Sequence, residues 1–196
     1  MTIIKKLLGA IAATIAFSAA ANATVITFEE SNSLSSTGLT MSGFNRLQCS
    51  TYFTQNTGYC RGLASGDWLT YSTSGNSITK TGGGSFTFNG ANLTAAWNDN
   101  MNIDVIGYRN NVAVYTQTKI VSDDVSTYFA FNYQNIDKLV INAYGGIDAG
   151  TPGGGTYTAM DNFTFNQAAA VPEPGSSVLL GLGLAVFAAA RRRKAA

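Results

Sequence analysis

The feature that most constrains this chain is a period-two alternation of apolar and polar residues, interrupted at short intervals by turn-forming residues. Met101-Asn102-Ile103-Asp104-Val105 sets its apolar members on one side of an extended backbone and its polar members on the other. Ser85–Phe88, Val112–Thr116 and Lys138–Asn142 read the same way, and Val25–Phe28, Leu39–Phe44, Asp67–Tyr71, Leu93–Trp97, Tyr128–Phe131 and Tyr157–Phe165 add runs rich in β-branched and aromatic residues. Between them lie Ser72–Asn76, Gly82-Gly83-Gly84, Asn89-Gly90 and Gly107–Asn111 as turn signals and Gly145–Gly155 as a longer loop. Asn89-Gly90 is the strongest of these and predicts a hairpin that folds Phe86–Phe88 back onto Leu93–Trp97. No window of about eleven residues carries a helical stripe free of glycine or β-branched interruption. The pattern predicts an all-β fold of about eight to eleven short strands, arranged as an antiparallel β-sandwich.

The two ends of the chain obey different rules. Lys5 and Lys6 precede an apolar run from Leu7 to Phe17, and Ala21-Asn22-Ala23 is a small-x-small cleavage pattern, so residues 1–23 read as a secretory signal peptide. At the other end Pro172-Glu173-Pro174-Gly175 stops any regular element, because two prolines fix φ and remove two donors. Ser176–Ala190 is uncharged and apolar, and Arg191, Arg192, Arg193 and Lys194 follow it. A helix over Ser176–Ala190 satisfies its own backbone in lipid, though it is shorter than the roughly 20 residues that span a hydrocarbon core. The four charges hold its end on the cytoplasmic side and leave everything before Pro172 outside. The predicted organisation is therefore a signal peptide at 1–23, a β-sandwich domain at 24–170 and a tail at 171–196.

The order Pro-Glu-Pro, apolar helix and terminal arginine cluster in residues 171–196 resembles the PEP-CTERM sorting signal of exported bacterial proteins. That resemblance implies a transient inner-membrane anchor, an exosortase-type processing enzyme acting at Pro172-Glu173-Pro174, and delivery of the preceding domain to the cell surface or extracellular matrix. The ITFEE-type first strand, the block AAWNDNMNIDVIGYRNNVAVYTQT and the closing YTAMDNFTF resemble the jelly-roll domains that precede such tails and, more distantly, galactose-binding-like carbohydrate-binding modules. From the distant modules it follows, as an expectation, that a structural calcium joins Glu29 or Glu30 to Asp161. Read from the residues alone, Glu29 and Glu30 face solvent and Asp161 caps a strand edge.

Composition narrows the function. Six of the twelve basic residues lie in the two tails, which leaves residues 24–170 with six basic against ten acidic groups. A slightly acidic exported domain without a basic patch is not a nucleic-acid binder. Cys49 and Cys60 are the only cysteines, and in an oxidising compartment they are expected to form a disulfide. With no histidine and no second cysteine pair, zinc and iron–sulfur ligand sets are missing, as is a Ser or Cys triad. Carboxylate chemistry at Asp99, Asp104, Asp123 or Asp124 is formally open, but nothing in the spacing pairs them, and the chain is read as a non-enzyme.

Association with exopolysaccharide is the expected role, with Trp68, Trp97, Tyr52, Tyr59, Tyr144 and Tyr157 able to offer rings to pyranose faces. Most of these must fill the core, and Tyr108 and Arg109, at a predicted hairpin tip, are the better exposed ligand candidates. The competing reading is a structural matrix or surface protein with no defined pocket. C-terminal peptide mapping of surface or secreted protein from the native host tests the tail: a new terminus beside Pro172–Gly175 is expected, and mature protein still ending in Arg191–Ala196 contradicts processing.

Overall fold

The computed structural model describes residues 23–30, 37–51 and 56–166. The signal peptide, Tyr52, the Pro172-Glu173-Pro174 motif, the apolar tail segment and Arg191–Lys194 lie outside the described residues. Among the described residues, no helix is long and apolar enough to cross a membrane.

Eleven strands follow one another in antiparallel pairings: β1 (Thr24–Ile26), β2 (Leu39–Gln48), β3 (Trp68–Lys80), β4 (Phe86–Ala95), β5 (Asn98–Asp99), β6 (Met101–Arg109), β7 (Val112–Val121), β8 (Thr127–Ile136), β9 (Lys138–Tyr144), β10 (Ile147–Asp148) and β11 (Thr158–Phe165). The one α-helix among the described residues, α1, is a single turn at Gly58–Arg61. The alternation read in the sequence is realised residue by residue in β6, where Met101, Ile103, Val105 and Gly107 are buried and the residues between them are not. The Gly107–Asn111 turn narrows to Asn110-Asn111, whose φ of 51° and 63° give the left-handed pair that a tight hairpin demands.

Nine strands form one hydrogen-bonded network, ordered β7-β6-β9-β3-β11-β4-β8, with β2 beside β3 and β1 beside β11. It serves as two layers because β3 changes neighbours midway. Thr70–Ser72 pairs with β11, whereas Asn76–Thr79 pairs with β9. β2 accompanies β3 along both halves and slips register between Ser42 and Phe44. The predicted Ser72–Asn76 turn is therefore a bend inside a continuous strand, and the two expected sheets share a ribbon. Gly43 makes the bend possible, with φ of 78° and a position where a Cβ would meet Asn76 Cβ at 3.1 Å. Asn76 is buried at this corner; its amide donates to Ser72 Oγ (2.7 Å) and its Oδ1 accepts from Ile141 N (3.2 Å).

The predicted Asn89-Gly90 hairpin is a correction. Both residues lie inside β4, which pairs through them with β8 and β11 across register shifts on either side of Phe88. A Cβ at Gly90 would lie 2.5 Å from Phe129 O, so this glycine serves close backbone approach and a bulge. Tertiary pairing on both edges overrides the local turn preference.

The main core fills the space between the layers, with Phe88 stacked against Phe131 and Phe163 at 5.1 and 4.9 Å. Tyr133 is buried there on Tyr115, and its hydroxyl, pushed up to about 12 by desolvation, donates to Val105 O. A second, smaller core lies beside Leu69, Ala159 and Trp97, where Tyr59 of α1 sets its edge against Tyr71 and Trp97 at 5.1 and 5.2 Å. Cys49 and Cys60 form the predicted disulfide, with Cα atoms 5.5 Å apart, and so pin α1 to the end of β2 over this core. Among the described residues, all strands and both cores lie within residues 24–166.

Reduction of the disulfide is expected to cost about 3 kcal/mol, most of it loop-closure entropy, and to lower Tm by roughly 10 °C. The far-UV signature of the main layers should survive reduction below the new Tm. Equal melting of oxidised and reduced protein would show that α1 is held without the bridge.

Candidate functional site

A concavity lies at the end of the sandwich where β4 and β7 finish and β6 begins. It is an open cleft of about 440 Å³, lined by Arg61, Asp99, Asp123, Asp124, Ile147, Asp148, Ala149 and Thr151. Four separate segments build it. Arg61 comes from the last residue of α1, which approaches so closely that a Cβ on Gly58 would overlap Ala95 O at 1.8 Å. Asp123 and Asp124 follow β7, where Ala95 N donates to Ser122 O and Asp124 N donates to Ser122 Oγ. Asp99 and Asp148 are brought together by the β5–β10 ladder, in which Asp99 pairs with Ile147 and Asn98 with Asp148. The glycine-rich loop after β9 supplies β10 because Gly146, with φ of 83°, tolerates an approach that would place a Cβ 2.8 Å from Asn98 Cβ.

Arg61 Nη1 reaches both acidic neighbours, at 3.3 Å to Asp123 Oδ2 and 2.8 Å to Asp124 Oδ1. The two bonds differ in environment, since the Asp123 side chain is 4% exposed and that of Asp124 is 75% exposed. Burial first, then the Asp124 charge, raise the Asp123 pKa above the usual carboxylate range; Arg61 opposes this and Asp99 adds to it. Thr151 Oγ1 is buried in the cleft wall without a hydrogen-bond partner among the described residues, and the apolar Ile147 side chain is 69% exposed. Carboxylates that outnumber the one guanidinium disfavour an anionic occupant and offer acceptors to hydroxyl groups.

Asp99, Asp123 and Asp124, scattered in the sequence, are thus brought to one place, and Asp104 is not: it lies on the outer face of β6, accepting from Thr118 Oγ1 (2.6 Å) and Tyr144 Oη (3.3 Å). Arg61 and Asp148 are site residues that sequence reasoning missed. Their contribution depends on α1 and on the β5–β10 ladder, and neither element leaves a periodic signal.

Tyr108 and Arg109 are at the opposite end. Arg109 donates to Asn135 O (2.7 Å) and Gln134 O (3.2 Å), and Lys138 Nζ lies 4.6 Å from the centre of the Tyr108 ring. Those bonds fix the β8–β9 turn, beside a smaller cleft of about 300 Å³. Of the other aromatics, Tyr59, Trp97 and Tyr157 belong to or pack against the small core, Trp68 lies beneath Arg46, and Tyr144 is 46% exposed.

Glu29 and Asp161 do converge, although on backbone amides. Glu29 Oε1 accepts from Asp67 N (2.9 Å) and Trp68 N (3.0 Å), and Asp161 Oδ2 accepts from Ala64 N and Ser65 N (both 2.9 Å). Asn162 N occupies Asp161 Oδ1 at 2.7 Å. Gly66 gives Glu29 its path, since a Cβ there would sit 2.1 Å from Glu29 Oε1. Asp161 is fully buried, and desolvation raises its pKa against the lowering by these amides. Amide hydrogens directed at the carboxylates stand where a hard cation would need oxygen ligands, so these donors do not fit a calcium. Glu30 is exposed, and no group of three or more acidic or cysteine side chains among the described residues could hold a metal ion.

In this clamp Asp161→Asn is expected to cost about 1–3 kcal/mol, because one amide oxygen cannot accept from both sides. Chelators should leave the wild-type Tm unchanged. A calcium-dependent rise in Tm that Asp161→Asn abolishes would restore the ion.

Among known proteins, residues 170–194 match the family described as the PEP-CTERM protein-sorting motif. No curated protein matches the chain. Among solved structures, TmCBM61 in complex with beta-1,4-galactotriose aligns with TM-score 0.41 and 8% sequence identity, over 71% of this chain and 97% of that one.

Proposed function

We propose that this chain, which carries the PEP-CTERM protein-sorting motif, is an exported glycan-binding module that presents the acidic cleft away from the membrane to neutral polysaccharide at the cell surface. The observation that carries the reading is the position and chemistry of the cleft. β11 begins beside Ala95 at the cleft end and finishes beside Phe88, where Asn166 N donates to Thr87 O. Eight extended residues separate those ends by roughly 25 Å. Asn166 therefore lies at the end opposite the cleft, and a tether beyond it is read as pointing the cleft outward.

The lining suits a polyol. Asp99, Asp124 and Asp148 supply acceptors for adjacent hydroxyls, Arg61 supplies donors, and the exposed Ile147 side chain offers an apolar surface to the C–H face of a pyranose. The module binds without cleaving, because Asp123, the carboxylate with the raised pKa, is engaged by Arg61 and shielded from the cleft mouth.

Oligosaccharide arrays probed with residues 24–170 test this. Retention of a neutral glycan of unchanged length is expected, with Asp124→Asn plus Asp148→Asn weakening it by about tenfold or more at unaltered Tm. Asp137→Asn, at the other end, should bind as wild type. Failure of the folded wild-type protein to retain any glycan, or full binding by the double variant, contradicts the assignment.

A further inference from the structure

The edges of the sandwich are not equally protected. β8 carries left-handed Asn132 and Asn135, with φ of 53° and 54°, and its ladder with β4 slips register twice. β2 is broken by its Gly43 bulge, and Arg46 of that strand donates to Phe28 O. Such interruptions keep a strand from recruiting another. β7 has only one, where Val114 is an extra residue between Ala113 and Tyr115, opposite Tyr108 and Gly107 of β6, and from Tyr115 to Val121 its ladder is regular. Among the described residues β7 pairs with β6 alone. It lacks proline, and its one charged side chain, Lys119, has Nζ 5.5–5.7 Å from the Phe131 and Phe129 ring centres. Val112, Val114 and Ile120 on this edge are 63%, 43% and 64% exposed.

We propose that β7 is a self-association edge, which joins two copies of this chain antiparallel into one continuous sheet. The occupant is a second copy because the strand complements itself. Centred on Gln117 within that regular stretch, antiparallel pairing sets Thr116 opposite Thr118 and Lys119 opposite the Tyr115 ring, with no like charges facing. Residues opposite one another share a face, so the exposed Thr116, Thr118 and Ile120 side chains stay on the outer surface. The interface is closed and isologous, which limits growth to a pair.

The geometry also sets when pairing can happen. The two-fold axis reverses strand direction, so the copies carry their Asn166 ends in opposite directions. Two copies tethered to one membrane are disfavoured from it, since one of them must reach back along its own length through residues 167–175. Released copies can adopt it, and each pair then displays a glycan cleft at both ends. The self-association does not require the glycan reading, but the cross-linking consequence rests on it.

Sedimentation velocity of residues 24–170 from about 10 μM to about 1 mM is the test, since a single strand edge gives a weak interface. Wild type is expected to shift from monomer to dimer. Gln117→Lys and Gln117→Glu each place like charges on the axis and should each weaken dimerisation by about fivefold or more, while their equimolar mixture recovers it. Melting curves of both variants verify that the fold is intact. Wild type monomeric throughout, variants that dimerise as wild type, or a mixture no better than its components would each overturn the proposal. Glycan binding is read separately on the monomer, so loss of one activity is distinguishable from loss of the other.

Discussion

A buried amide at the corner of the β2–β3 ribbon lets one sheet act as two layers. A strand that leaves one neighbour for another must expose backbone groups at the switch, and buried orphans of that kind cost several kcal/mol in an apolar setting. Asn76 answers both needs, with Oδ1 accepting the Ile141 amide and its own amide bound to Ser72 Oγ. Gly43 on the accompanying strand leaves room for it. Every later contact between the layers, including the Phe88 and Tyr133 stacks, presupposes that bend.

The carboxylates divide according to what backbone surrounds them. Asp161 and Glu29 lie against the turn-rich segment 64–68, whose free N–H groups need acceptors, so their charge is spent internally and the first and last strands are tied together through that segment. Asp99, Asp124 and Asp148 meet no comparable row of amides. Arg61 covers Asp124, Asn100 Nδ2 donates to Asp99 Oδ2 and Gly150 N to Asp148 Oδ1, and all three residues line the cleft. Acidic residues alike in the sequence thus become a structural clamp at one place and a receptive surface at another.

Strand existence was legible because alternation in β6, β7 and β9 reports directly on which face is buried. The disulfide was legible because two cysteines in an exported chain have one partner each. Asn89-Gly90 misled for a physical reason: the dipeptide favours a left-handed turn in isolation, whereas β8 and β11 on either side offer hydrogen bonds that a hairpin would forfeit. The bend at Ser72–Asn76 was visible as a break, but that the strand persists across it depends on β2 following the same path. The cleft was the least legible part. Asp123 and Arg61 are separated by 62 positions and meet only after the disulfide-held turn docks on β4.

Charge follows the same axis as the chain ends. Lys80, Arg109 and Lys138 lie at the β3–β4, β6–β7 and β8–β9 turns, with Asp137 as the carboxylate among them, and the opposite end holds Asp99, Asp123, Asp124 and Asp148 against Arg61. An anionic lipid surface attracts the first group and repels the second by about 1 kcal/mol per charge near the surface. Where residues 176–190 sit in such a membrane, electrostatics and the exit point of the tail therefore favour the same standing orientation. The β7 edge runs along the same axis as β6, from the cleft end to the Asn110-Asn111 turn.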